Sequence, residues 1–410
     1  MSSSAVMAPP REAEEHSPEA VAPPPGNPRF PLFDGLRAVA ALAVLIFHVA
    51  AVSEASTGEA GLSPYLARLN VGVAVFFVIS GFLLYRPLLA ARVGDGPPIR
   101  LRDYARRRVL RIVPAYWVAL TVLALYPGLL GLFGHGWWVY YVFGQDYSHN
   151  TEILGIGPAW SLGCEVVFYA LLPFISLALA WLSALRGRQL WWQLEVAVIG
   201  GLAVASAAWR AYVDVHPSVP PNTFAATFAW FAAGMLLAVA SVSWHRRPAG
   251  PLRLIARYAW AGWVLAAAAY VGICRGLGLS GAGVFAPVTR MQDLAVYALS
   301  GVVALGLALP AAFEATARSL PGRFLATPIM AWLGLISYGI FLYHSPLAFK
   351  LSGGVSSGGN ATLKFLWLAP ATLAVAITAG ALSYYLVERP ALRFKDRRRA
   401  RAVPVARVAG

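Results

Sequence analysis

From residue 35 onward the chain alternates long apolar runs with short polar segments, many of them basic. A run of about 20 apolar residues is the length at which a helix crosses the hydrocarbon of a bilayer. Ten such runs are found, near residues 35–53, 71–91, 109–133, 159–184, 191–211, 222–242, 256–275, 292–313, 328–349 and 364–387. Several contain Gly or Pro, which membrane helices tolerate because neighbouring groups satisfy the freed backbone. The pattern therefore predicts an all-α, polytopic membrane protein with about ten transmembrane helices. Residues 1–28, rich in Pro, Ala, Ser and Glu, cannot bury a core and predict a disordered cytoplasmic leader. They lack a basic stretch followed by an apolar one, so no cleavable signal peptide is expected. Residues 391–410 read as a basic cytoplasmic tail lying along the inner leaflet, which leaves 29–390 as the membrane domain. No internal repeat of solenoid length is visible.

Composition supports lipid as the main solvent, with 59% hydrophobic and 12% charged residues and 14 Trp in 410 residues. A formal charge of +15 raises the possibility of nucleic acid, but the arginines form short clusters between apolar runs rather than one basic face. Positive-inside bias accounts for them. The segments around 85–111, 186–188, 244–257, 318–323 and the tail are basic and fall on one side, whereas the opposite loops, such as "GHGWWVYYVFGQDYSHNTEILGIGP", hold few Lys or Arg. Both termini are thereby expected in the cytoplasm, with the chain in the cell membrane. Cys164 and Cys274 are the two cysteines, without metal-ligand spacing, so neither a disulfide nor a metal is expected.

Within this apolar background a few polar residues call for an explanation. The first run, "FDGLRAVAALAVLIFHVA", carries Arg37 and His48. Eleven residues are three turns plus about 20°, so both side chains share a face about 16 Å apart. Charged groups at a membrane-helix centre cost roughly 2.5–3.5 kcal/mol, so they face a cavity or a partner. Asp34 offers an N-cap for this helix. In "WSLGCEVVFYALLP", Ser161, Glu165 and Tyr169 recur at four-residue spacing on one face, and in "WLGLISYGIFLYHSPL" Ser337 and His344 lie on one side. The predicted topology puts His48, Glu165 and His344 at similar depths in the outer half of the bilayer. Each histidine alone could simply satisfy a backbone carbonyl, and Arg37 alone could be snorkelling to phosphate. In "RDYARRRVLRIVPAYW", Arg108 and Arg111 point the same way, as do Arg107 and Arg111. Guanidinium groups so placed suit bidentate capture of phosphate, although an inside anchor would also explain them. There is no glycine-rich phosphate loop.

Together these stretches resemble the acyltransferase 3 family of integral membrane proteins. "LFDGLRAVAALAVLIFHV", "FFVISGFLL", "RRRVLRIVPAYW", "WSLGCEVVFY", "SYGIFLYHSPL" and "VERPALRF" follow the family's order over residues 30–395. The resemblance implies transfer of an acyl group, acetyl in the first instance, from acyl-CoA as co-substrate to a hydroxyl of a carbohydrate or glycosylated acceptor. It marks His48 as the catalytic histidine, Arg37 as its companion, and Arg108 with Arg111 as contributors to coenzyme A binding. Some relatives continue into an extracytoplasmic hydrolase-like domain; a relay through one is not expected here, since the chain stops after the tenth run.

The residues read by themselves agree. Removing a proton from an alcohol suits an imidazole, whose ordinary pKa is near 6.5, as general base. His48 is the candidate, either activating the acceptor or first taking the acyl group. Glu165 and His344 are further catalytic candidates, to orient the imidazole, hold the sugar or stabilise the imidazolium. Arg37, Arg108 and Arg111 are expected to bind the donor. Two other classes compete. A transporter using the same charges as a proton or substrate pathway predicts matching inverted halves, which are not visible. A non-catalytic membrane partner leaves the Arg, His and Arg-x-x-Arg set without a use. Among acceptors, an intracellular glycosylated natural product is the alternative to a glycan across the membrane.

Overall fold

The computed structural model describes residues 30–393 apart from 59–60, 95–98, 187–189, 217, 247–249, 280–282, 285–287, 314–318 and 354–359. The expected leader and nearly all of the expected tail lie outside the described residues. Among those described the fold is all-helical, and each of the ten apolar runs holds a helix. These are α1 (Leu32–Val52), α2 (Gly72–Val93), α3 (Leu101–Leu125), α4 (Trp160–Arg186), α5 (Trp191–Val213), α6 (Phe224–Arg246), α7 (Ala261–Val271), α8 (Arg290–Ala312), α9 (Pro328–Leu351) and α10 (Ala361–Ser383). Eight described spans, those of α1 to α6, α8 and α10, are long and apolar enough to cross a membrane. The segment Ala261–Gly276 is shorter, and α9 is long but diluted by Ser337, Tyr338, Tyr343 and His344.

Local chemistry explains where the helices depart from the apolar runs. The third helix starts at Leu101 because its arginine-rich first turns continue the helix beyond the apolar run. It stops at Leu125 because Tyr126, held extended, precedes Pro127, and a residue before proline is disfavoured in the helical region. The run near 256–275 is two helices, Gly250–Arg257 and α7, the latter prolonged by a π turn at Gly272–Gly276. Asp34 is not the N-cap of α1. That helix begins at Leu32 after Pro31, and Asp34 sits inside the first turn, where a carboxylate still favours the helix dipole.

Packing is closest where glycine lets backbones touch. A Cβ on Gly334 of α9 would lie 2.0 Å from the Asp34 carbonyl oxygen of α1, and one on Gly234 of α6 would lie 2.1 Å from the Val78 carbonyl oxygen of α2. Gly339 of α9 abuts Gly380 of α10, and Gly262 of α7 abuts Gly306 of α8. Small residues that admit such approach are the means by which helices associate in lipid, where burial of apolar surface gives little drive. Contacts run in the same chain direction between α1 and α9 (34 with 334, 48 with 344) and between α2 and α6 (77 with 231, 86 with 241). They run in opposite directions between α9 and α10 (339 with 380, 332 with 385). Large apolar side chains such as Trp181, Val204 and Leu386 face outward, 64–70% exposed, a surface that requires lipid around it.

Two ion pairs tie helices together. Glu195 of α5, fully buried, accepts from Tyr85 and Arg92 of α2, and Arg92 also donates to the Ser176 carbonyl of α4 at 2.8 Å. Arg210 of α5 grips Asp293 of α8 through two hydrogen bonds of 2.8 and 2.7 Å. Replacing Gly334 by Ala is expected to cost about 1–3 kcal/mol, because backbone must move to admit the methyl group. Replacing Gly200 of α5, which has open space around its Cβ position, is expected to be neutral or stabilising by up to about 1 kcal/mol. Thermal unfolding of the two variants in detergent checks the contrast.

Candidate active site

The α1–α9 contact places two imidazoles side by side. Nε2 of His344 lies 3.1 Å from Nδ1 of His48, with ring centres 4.9 Å apart. Backbone carbonyls decide the protons, because a carbonyl oxygen only accepts. His344 Nδ1–H donates to the Phe341 carbonyl at 2.7 Å, and His48 Nδ1–H donates to the Val44 carbonyl at 2.8 Å. Neutral His344 therefore presents an unprotonated Nε2 toward the His48 Nδ1–H, which is shared between that nitrogen and Val44. The remaining ring nitrogen, Nε2 of His48, carries a lone pair and has no partner among the described residues. A proton added to the pair belongs on that atom, since one on His344 Nε2 would face another N–H. Both histidines thus do satisfy carbonyls, as an isolated histidine would, yet the same bonds make His48 a base with a defined lone pair.

The other candidates gather elsewhere. An open cleft is walled by Arg37, Ser80, Arg111, Ser161, Glu165, Tyr169, Ser337 and Tyr338, with Phe76 and Phe341 among its apolar residues. Glu165 accepts from Ser80 Oγ at 2.7 Å and Tyr169 Oη at 2.8 Å, and it faces the guanidinium groups of Arg37 and Arg111. Arg37 pairs with Asp34 at 3.4 Å. Arg108 stands 6.0 Å over the ring of Tyr169, just behind the cleft wall. Ser161 and Ser337 line the space but spend their hydroxyl hydrogens on the carbonyls of Pro158 and Gly334. Two guanidinium groups at the cleft wall are donors of the kind that bind an anionic group.

The expected convergence of Glu165 with His48 and His344 is therefore corrected: Glu165 joins the arginines, and the histidines pair apart from it. The cause lies in the α3–α4 connection, read from sequence as an outer loop. It folds into the bundle, burying Gln145 and Asp146 to 1% exposure, and Trp160 at the start of α4 packs edge-on against Phe77 of α2. The first turns of α4 are thereby set against α2, where Glu165 meets Ser80. Of the aromatics in that connection, Tyr140 is buried whereas Trp137 and Trp138 are exposed. Ser80 and Tyr338 were missed by sequence reading; the SGF segment containing Ser80 offered a family landmark but no chemical signal.

The acyltransferase domain of the acyltransferase 3 family (Acyl_transf_3) matches residues 31–384. The chain belongs to the acyltransferase 3 family. Similar members include acyltransferase MdmB of Streptomyces mycarofaciens, 28% identical over 92% of this chain and 95% of the relative. Another is peptidoglycan O-acetyltransferase OatA of Listeria monocytogenes, 26% identical over 88% of this chain and 55% of the relative. The chain spans about half the length of OatA. No solved structure matches it. Membership in the acyltransferase 3 family, with the apolar helices, makes this a multi-pass membrane acyltransferase.

Asp146 adds a titration outside the spans. Burial, with a smaller contribution from the Glu152 carboxylate, pushes its carboxyl from an ordinary 3.8 up to about 9. The folded acyltransferase 3 domain keeps a proton there that the unfolded chain releases, so between those two values stability falls as pH rises. Asp146→Asn, neutral throughout, is expected to unfold at a higher temperature than the parent at pH 8, with the gap narrowing toward pH 5. Melting curves across that range check it; a gap independent of pH assigns Asp146 no such titration.

Proposed function

We propose that this protein is a membrane-embedded O-acyltransferase that moves an acyl group, acetyl in the first instance, from acyl-CoA to a hydroxyl of a carbohydrate or glycosylated acceptor. The observation that carries the reading is the histidine pair, which leaves one imidazole nitrogen basic and free. His48 Nε2 takes the acceptor hydroxyl proton as the oxygen attacks the thioester carbonyl, and the coenzyme A thiolate leaves. The resulting imidazolium keeps its Nδ1–H on Val44 and on His344 Nε2, so His344 positions and stabilises it. Arg37, Arg108 and Arg111 supply the positive charge that a phosphate-bearing donor requires. The flexible pantetheine arm then spans the roughly 16 Å that three helical turns set between Arg37 and His48. Similarity to a peptidoglycan O-acetyltransferase supports a glycan acceptor.

Ten crossings with both termini cytoplasmic complete the reading. It is supported by the alternation of packing directions, odd-numbered α1 beside odd-numbered α9 in parallel, and by the basic segments on one side. Donor phosphates then bind from the cytoplasm, while His48 lies toward the other face.

Membranes containing the protein are expected to release coenzyme A thiol from acetyl-CoA when candidate glycans are supplied. His48→Ala should reduce turnover at least about 10²-fold while leaving insertion intact, the typical worth of a general base. Joint replacement of Arg108 and Arg111 by Ala should chiefly raise the KM for acyl-CoA. Normal turnover without His48 removes it from the mechanism, and an unchanged donor KM returns the arginines to a membrane anchor. A reporter after residue 405 should be active in the cytoplasm and one near His149 outside. In sealed vesicles with acyl-CoA on the cytoplasmic side, an impermeant acceptor on the opposite side should be acylated; acylation confined to one shared compartment favours an intracellular acceptor.

A further inference from the structure

The arginine-lined cleft and the histidine pair do not share a wall of polar groups. Neither imidazole lines the cleft, but Phe76 of α2 and Phe341 of α9 do. The Phe341 ring centre is 5.7 Å from the His344 ring and 6.1 Å from the Phe76 ring, which it meets edge-on at 73°. Phe341 is also held in place, because its carbonyl accepts His344 Nδ1–H at 2.7 Å and its side chain is buried. Phe341 thus lies against both the cleft and the His344 ring, and Phe76 flanks it on the cleft side.

We propose that Phe76 and Phe341 form an aromatic partition through which the acyl end of the donor reaches His48, and that these rings set the length of acyl chain transferred. The proposal rests on the donor reading above. An acyl group delivered from the cleft to the imidazole must lie against or between the rings. A two-carbon chain needs little room there, whereas each added methylene competes with ring atoms for space. Apolar pockets discriminate single methylenes by roughly 10–200-fold, so a crowded passage suffices to select a short chain. The flat apolar faces also keep water from the thioester until the acceptor arrives.

The test measures kcat/KM for acetyl-, butyryl- and hexanoyl-CoA with the protein in lipid nanodiscs, by thiol release with soluble peptidoglycan fragments as acceptor. The parent should prefer acetyl-CoA. Phe76→Ala and Phe341→Ala should each shift the hexanoyl-to-acetyl ratio at least about tenfold toward the longer chain, the effect of opening one methylene's room or more. Phe76→Leu and Phe341→Leu keep apolar packing and should shift it the same way by less; they decide the matter if the alanine variants fail to accumulate. An active parent with an unaltered ratio in every folded variant overturns the partition alone. A parent that turns over none of the three donors overturns the donor reading and the partition with it.

Discussion

The backbone-to-backbone contact of α1 with α9 is the constraint on which the candidate site depends. Asp34 and Gly334 touch where no side chain intervenes, and the two helices run in the same direction from that point. Their separation ten to fourteen residues later is small enough for an imidazole from each to hydrogen-bond. A wider crossing would leave two isolated histidines on carbonyls. The tautomers are set within each helix, since both Nδ1 atoms are committed to carbonyls of their own helices, and close approach decides what the remaining nitrogens face.

Two ion pairs within the bundle each tie one helix to another. Glu195 is held by Arg92 and Tyr85, and Asp293 by Arg210, each pair joining separate helices. Breaking a buried pair by removing one member typically costs about 3–5 kcal/mol, so such pairs fix helix positions even where they add little net stability. The cleft differs in kind. There Arg37, already paired with Asp34, and Arg111 stand beside Glu165, which is itself occupied by Ser80 and Tyr169. An open space next to these charges separates the cluster from the structural pairs.

The all-helical membrane class was legible in the sequence because a bilayer-length apolar run has few alternatives once the backbone must satisfy itself in lipid. Family membership was legible too, through short landmarks in a fixed order. So was the shared face of Glu165 and Tyr169, because four-residue spacing on one helix is a local property, and the two do hydrogen-bond. What spacing could not supply was depth. The position of Glu165 depended on how far the α3–α4 connection entered the bundle, and Asp146 and Gln145 became buried with it. Their burial has no periodic signal, since that connection is neither helix nor strand over most of its length.

The amino-acid sequence by itself thus determined the membrane class, the runs that become helices and the inventory of candidate groups, because length, hydropathy and periodicity are set residue by residue. Only the tertiary structure decided that His48 meets His344 while Glu165 meets Arg37 and Arg111. It also decided that Phe341 lies against both the cleft and His344, with Phe76 beside it. Those outcomes hang on interhelical distances of a few ångströms, and these are set by which glycines from distant parts of the chain allow two backbones to touch.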